Sequence, residues 1–224
     1  MNPSYAQIRA RIHKAARAAG HAVRLLAVSK TQAASAIREL AVQGQLAFGE
    51  NRVQEALIKQ QALTDLNLEW HLIGPLQSNK CREAALQFDW VQSLDREKLL
   101  EPLNRFRPAD APPLDVLIQV NIDAEASKSG CTPAAVPVLA RTIAQFPRLR
   151  LRGLMAIPEP HPDPAQRRAA FARMRDLFTA LRANHPEIDT LSMGMSDDFE
   201  LAIAEGATLV RIGTAVFGAR PSPI

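Results

Sequence analysis

The chain has 224 residues, 47% of them apolar and 22% charged, with a formal net charge of +4. That balance belongs to a folded globular protein with one sizeable core, and the length suits one α/β barrel spanning residues 1–224 as a single domain. It argues against a membrane protein, because no apolar stretch approaches bilayer length, and against a nucleic-acid binder, because the arginines are dispersed without a basic block or interleaved aromatics.

Residues 1–20 place Tyr5, Ile8, Ile12 and Ala15 or Ala16 at helical spacing, which predicts an amphipathic helix packed on the body. The segment carries Arg9, Arg11, Lys14 and Arg17 but no continuous apolar run, so it is not a secretory signal. An Arg-rich, acid-poor presequence is the alternative.

Short apolar runs then alternate with amphipathic stretches. The runs predict strands over 24–29, 45–48, 69–73, 90–93, 115–121, 149–157, 188–192 and 208–212. The stretches predict helices over 33–42, 52–66, 78–88, 96–105, 133–145, 164–183 and 197–205. Repeated βα units imply a parallel sheet, and eight of them fit a closed (β/α)8 TIM-type barrel with the extra N-terminal helix. A doubly wound open sheet is the alternative. The Pro-rich pieces 107–113 and 158–164 are short enough to be loops within one domain.

In such a barrel, functional residues gather where strands end. Lys30 closes the first apolar run, Leu25-Leu26-Ala27-Val28-Ser29-Lys30. There it is either solvated at the rim or held for chemistry, since a lysine amine condenses with an aldehyde to an imine. The next strand ends bring Asn51, then His71 with Gly74 to Lys80, then Asn121, then Met155. The last two bring Met193-Gly194-Met195-Ser196-Asp197-Asp198 and Arg211-Ile212-Gly213-Thr214.

Glycines and hydroxyls after strands seven and eight suit a phosphate site, with Ser196 as N-cap of the following helix; two capped turns without a ligand are the other reading. The mild positive excess also suits a phosphorylated small molecule. Arg211 sits inside a strand and needs a polar partner: Glu205, Asp198 or a ligand lone pair. His71 reads as a buried, satisfied histidine, Asn51 and Asn121 as loop or ligand groups, and the methionines as packing. Lys80 and Lys128 read as solvated loop charges.

Cys81 and Cys131 show no ligand spacing and make a poor disulfide framework, so a reducing, cytoplasmic setting is expected. The five histidines form no ligand pair, so no metal is expected.

The segments LLAVSKT (25–31), FGENRVQEA (48–56), WHLIGPLQSNK (70–80), VLIQVNIDAEASKSG (116–130), LRGLMAIP (151–158) and LSMGMSDDFELAIAEGATLVRIGTAVFGAR (191–220) closely resemble the pyridoxal phosphate homeostasis proteins, the YggS/PROSC family. Ala33 and Arg52 depart from the usual proline and aromatic. The resemblance implies the N-terminal barrel of alanine racemase (fold-type III) without that enzyme's second, β-rich domain. It implies pyridoxal 5′-phosphate held as an aldimine by Lys30, with the phosphate at Ser196, Gly213 and Thr214. Arg211 would face the pyridine nitrogen, Asn51 the 3-hydroxyl side, and His71 and Met195 the pocket.

By resemblance the protein takes part in vitamin B6 homeostasis, with no catalytic residue assigned. An arginine at the ring nitrogen weakens the electron sink. The single tyrosine, Tyr5, lies in the N-terminal helix, so a racemase-type tyrosine base is poorly supplied. A carrier that buffers the cofactor or delivers it to apo-enzymes, acting as a monomer, is therefore the leading expectation; an amino-acid racemase is the alternative.

Overall fold

The computed structural model describes residues 3–125 and 129–217. Helix α1 (Pro3–Ala19) leads into strand β1 (Arg24–Val28), α2 (Ala34–Val42), β2 (Ala47–Glu50), α3 (Val53–Ala62) and β3 (Glu69–Leu72). Then come α4 (Cys81–Gln87), β4 (Trp90–Leu94), α5 (Leu100–Phe106), β5 (Leu114–Gln119), α6 (Val136–Ile143) and β6 (Leu149–Met155). The described chain ends with α7 (Pro164–Arg182), β7 (Thr190–Ser192), α8 (Phe199–Ala204), β8 (Leu209–Ile212) and α9 (Thr214–Phe217).

The eight strands are all parallel, and each pairs with the next. Pairing of β1 with β8, with Leu26 opposite Arg211, closes the barrel. The predicted barrel is therefore the observed one, and the open sheet is set aside. The expected helices over 78–88, 96–105 and 133–145 each begin with a short 3-10 turn before the α-helix. Helix α7 keeps its predicted start: Pro164 stands at its first position, and the Asp163 carboxylate accepts from the Ala165 N–H at 2.9 Å.

Strand β2 lies two residues later than the apolar run suggests. Gln45 is buried as a connector: its amide donates to the Leu25 and Ala47 carbonyls at 3.0 and 2.6 Å and accepts from the Tyr5 hydroxyl at 3.3 Å. The strand instead extends through Gly49 to a fully buried Glu50, which the sequence period cannot predict.

Helix α1 buries Tyr5, Ile8 and Ile12 and packs against α8 and α9. That agrees with the predicted N-terminal helix. The bidentate Arg11–Glu200 pair beside it is half exposed and adds little to that packing.

Alternation along each strand sends every second side chain inward. Leu26 and Val28 of β1 point inward, and so does Gly49, where an added Cβ would lie 3.0 Å from Leu26. At the N-terminal mouth the filling is charged. Arg152 bridges Asp115 and Asp189, at 2.9 and 2.5 Å, and lies 4.8 Å over the Trp90 ring. Arg24 pairs with Glu69. Burial raises the Glu69 carboxyl, but the hydrogen bond from His71 and the charge of Arg24 outweigh it and hold the group at about 2, against an ordinary 4.5.

A carboxyl depressed in the native state stabilises the fold above its unfolded value, and that contribution disappears as pH falls through the native value. Glu69 therefore contributes fully above pH 4.5 and loses its contribution between there and about 2. Urea denaturation at pH 6 and at pH 3 should show a smaller pH-dependent loss of stability in Glu69→Gln than in the unaltered protein.

Candidate functional site

A cavity of about 330 Å³ opens at the C-terminal ends of the strands, lined by Lys30, Asn51, Gly74, Gln119, Ser129, Met195 and Arg211 with Val28, Ile73, Pro75 and Ile157. Its volume is that of a small-molecule site. A larger groove of about 740 Å³ lies at the other end of the barrel between α1 and the starts of β1 and β2, and contains no lysine.

Lys30 follows β1 and is half-buried. Its amine has no hydrogen-bond or ion-pair partner among the described residues, while its backbone is held tightly on both sides. Lys59 of α3 donates to the Ser29 carbonyl at 2.7 Å, to Glu50 Oε1 at 2.8 Å and to Glu55 Oε1 at 2.7 Å, which uses all three ammonium hydrogens. The Ser29 hydroxyl donates to Glu50 at 2.5 Å, and the Thr31 N–H donates to Glu55 at 2.6 Å. Thr31 adopts a φ of 65°, a left-handed conformation that a β-branched residue holds only when its surroundings impose it. Burial raises the Glu50 carboxyl against the pull of Lys59 and Ser29. Lys59, Glu50 and Glu55 thus form a clamp behind β1 that aims the Lys30 side chain into the cavity.

Asn51 and Gly74 bring the second and third loops together. A Cβ on Gly74 would fall 2.1 Å from the Asn51 carbonyl oxygen, so only glycine permits this approach. Gly194 holds a φ of +93° against α8, where a Cβ would meet Ala202 at 2.5 Å.

Arg211 forms the cavity floor and is only 3% exposed. Its Nη1 donates to Ser192 Oγ at 2.7 Å and its Nη2 to the Ala156 carbonyl at 2.8 Å. Burial pulls the guanidinium down to about 10, against the field of Asp198, so it stays charged at neutral pH. Glu205, one expected partner, pairs instead with Arg168 and Arg175. The other, Asp198, accepts from the Met195 N–H at 2.7 Å.

Lys30, Asn51, Met195 and Arg211 therefore share one cavity. Ser196, Gly213 and Thr214 do not line it; they stand beside it on the loops after β7 and β8, Ser196 next to Met195 and Gly213 two residues beyond Arg211. Ser196 is not a helix cap, because it lies in a turn and α8 begins only at Phe199.

His71 is corrected. It is fully buried one layer below the cavity, where Ile73 takes the wall position, and its ring stacks on Trp90 at 5.0 Å. Asn121 folds its own loop through Glu125. Lys80 pairs with Glu83 at 3.6 Å, and Lys128 lies outside the described residues, as do residues 218–220 of the last motif. Gln119, Ser129 and the Lys59 clamp went unpredicted; of the clamp, only the Glu55–Lys59 spacing of four was a sequence signal. Among the described residues no cluster of metal-ligating side chains occurs, and no helix is long and apolar enough to cross a membrane.

A parallel eight-stranded barrel with a lysine at the end of β1 and an arginine on β8 defines a racemase-type barrel, and residues 4–221 match the family described as alanine racemase, N-terminal domain. The pyridoxal phosphate homeostasis protein of Pseudomonas aeruginosa is 58% identical over 218 residues, covering 96% of this chain and 94% of the relative. The protein of that name from Escherichia coli is 52% identical over 221 residues, with 96% and 94% covered. The structure of PipY from Synechococcus elongatus with PLP bound superposes with a TM-score of 0.84 at 40% identity, covering 96% of this chain and 98% of that one. The chain belongs to the family of pyridoxal phosphate homeostasis proteins.

Removing one partner from a buried ion pair leaves the other uncompensated. Lys59→Met should therefore lower the unfolding free energy by about 3–5 kcal/mol, and Glu50→Leu in the same chain should restore part of it. Urea denaturation of both variants checks this; a double variant no more stable than Lys59→Met would refute the clamp.

Proposed function

We propose that this cavity binds pyridoxal 5′-phosphate through an imine bond (an aldimine) to Lys30, and that the protein buffers the cofactor and passes it on within vitamin B6 homeostasis. The observation that carries the reading is a lysine amine, without a partner among the described residues, sharing a cavity with a buried arginine. The donor set suits the cofactor: an amine for the aldehyde, a cationic floor for the ring nitrogen, and hydroxyls at the rim for the phosphate. PipY, which aligns along nearly the whole chain, is described with PLP bound.

Lys30 Nζ would supply the amine that condenses with the aldehyde, with loss of water. Asn51 lies on the 3-hydroxyl side. Ser196, Gly213 and Thr214 hold the phosphate on the loops after β7 and β8, where barrels of this kind collect anions. Met195 closes the rim.

When bound, the cofactor supplies an electrophilic imine that another amine can exchange. Arg211 can only donate a hydrogen bond, so it favours an unprotonated ring nitrogen and a weak electron sink. Apart from Lys30, the cavity wall carries no histidine, tyrosine, cysteine or carboxylate among the described residues. Tyr5 is buried at the opposite mouth. The chemistry therefore favours holding and exchange over racemisation.

Release by amine exchange suits delivery to apo-enzymes, and we read the chain as a cytoplasmic monomer in which residues 1–224 act as one binding unit.

Borohydride reduction of the loaded protein should fix a pyridoxyl group on Lys30, found by peptide mass mapping, and Lys30→Ala should lose both the label and the visible band. Failure to label Lys30 would refute the site. Racemisation of L-amino acids that disappears in Lys30→Ala would refute the carrier reading. Ser196→Ala with Thr214→Val should weaken cofactor retention at least about a hundredfold with Lys30 labelling intact, because two hydrogen bonds to a charged group, each worth about 1.5–3 kcal/mol, are removed. Unchanged retention would place the phosphate elsewhere.

A further inference from the structure

A chain of hydrogen bonds runs down the inside of the barrel from the cavity floor to its opposite mouth. Arg211 Nη1 meets Ser192 Oγ at 2.7 Å, and Ser192 Oγ meets Gln92 Oε1 at 2.7 Å. Gln92 Nε2 meets His71 Nδ1 at 2.9 Å, and His71 Nε2 meets Glu69 Oε1 at 2.6 Å. Arg24 also donates to that Glu69 oxygen. Ser192, Gln92 and His71 are fully buried.

We infer that Ser192, Gln92, His71 and Glu69 are positioning residues: they form a one-way relay that orients Arg211 toward the ligand ring and links it to a counter-charge at the far end of the barrel. The inference deepens the reading of the cavity as a pyridoxal 5′-phosphate site and rests on it for the ligand.

The direction follows from the chemistry of each group. A guanidinium only donates, so Ser192 Oγ accepts from Arg211 and spends its single hydrogen on Gln92 Oε1. The Gln92 amide then presents its NH2 to His71, so His71 Nδ1 carries a lone pair and the imidazole proton lies on Nε2, facing Glu69. With a neutral imidazole the reversed arrangement fails. A flipped Gln92 needs a proton on Nδ1, which leaves a bare Nε2 against the Glu69 carboxylate, lone pair against lone pair. Complete burial lowers the His71 pKa against the pull of Glu69, which favours the neutral ring.

Arg211 makes no ion pair among the described residues, so a buried cation depends on such polar neighbours. Ser192 and the Ala156 carbonyl take one hydrogen each from Nη1 and Nη2, and the relay thereby decides which of the five N–H groups remain for the cavity. Trp90, stacked on His71 with an interplanar angle of 11°, keeps the imidazole in the plane that both of its partners need.

The test has two parts. Nitrogen-15 NMR of the histidine-labelled, cofactor-free protein at pH 7 should show His71 as the neutral Nε2–H tautomer; an Nδ1–H or charged ring overturns the relay. In cofactor-loaded protein, Ser192→Ala and Gln92→Leu should each weaken retention of pyridoxal 5′-phosphate about tenfold, the worth of one hydrogen bond, and shift the visible absorption band, with borohydride labelling of Lys30 retained. Ser192→Thr, which keeps the hydroxyl, should restore both. Unchanged retention and band in Ser192→Ala overturn the inference, and this one-atom deletion decides the matter if Gln92→Leu does not fold. If the unaltered protein takes up no pyridoxal 5′-phosphate, the reading of the site fails, whereas the histidine NMR still judges the relay.

Discussion

Arg211 carries a full charge into the centre of a closed barrel, and much of the interior is arranged around the cost of that burial. An aliphatic core would leave the guanidinium without partners, an expense of several kcal/mol. The layer around it is therefore polar, with Ser192 and Gln92 fully buried beneath the guanidinium. Below them His71 and Glu69 continue the polar thread to a charged mouth, where Arg152 and Asp115 pair. Apolar side chains pack most of the space between barrel and helices, and the charges buried there are each met: Lys59 by its clamp, Arg107 by the Ala85 and Phe88 carbonyls, and Glu205 by Arg168 and Arg175.

The architecture was legible because two periods alternate cleanly in the sequence: short apolar runs for strands, and 3.6-residue spacing for helices. Strand ends pointed to Lys30, Asn51, Met195 and Arg211, and these do share a cavity. His71 shows the limit of that reasoning. By residue type alone it reads as a buried, satisfied histidine, which is how it stands; the resemblance put it on the pocket, but height along the barrel depends on strand tilt and register, which no single strand reveals. His71 accordingly sits one layer too low, and Ile73 takes the expected place.

Gln92 could have been noticed, since Gln92 and Ser93 interrupt the apolar residues of the strand Trp90-Val91-Gln92-Ser93-Leu94. Its partners could not, because Ser192 lies one hundred residues away in the chain. Lys59 was hidden for the opposite reason: on an amphipathic helix a lysine reads as solvated, and only the fold brings Glu50 behind it. Glu205 misled as a partner for Arg211, since nearness in sequence across a helix–strand turn does not bring the two side chains together.

Lys30 and Lys59 carry the same functional group, and coordination alone separates their chemistry. Lys59 gives its three hydrogens to three oxygens, so losing a proton there would break a buried ion pair. Lys30 has no such partner among the described residues, so nothing described there holds its proton in place. The clamp that silences one lysine holds the backbone of the other, through Ser29 and Thr31. This clamp lies between the barrel and its helices, whereas the thread below Arg211 lies inside the barrel, and no residue belongs to both. Lys30, the proposed anchor, and Arg211 on the cavity floor are thus supported from different layers of the fold. A cavity held that way keeps its amine and its guanidinium on separate supports, so a change at one need not displace the other, which suits the proposed reading of a site that holds a small aldehyde and gives it up.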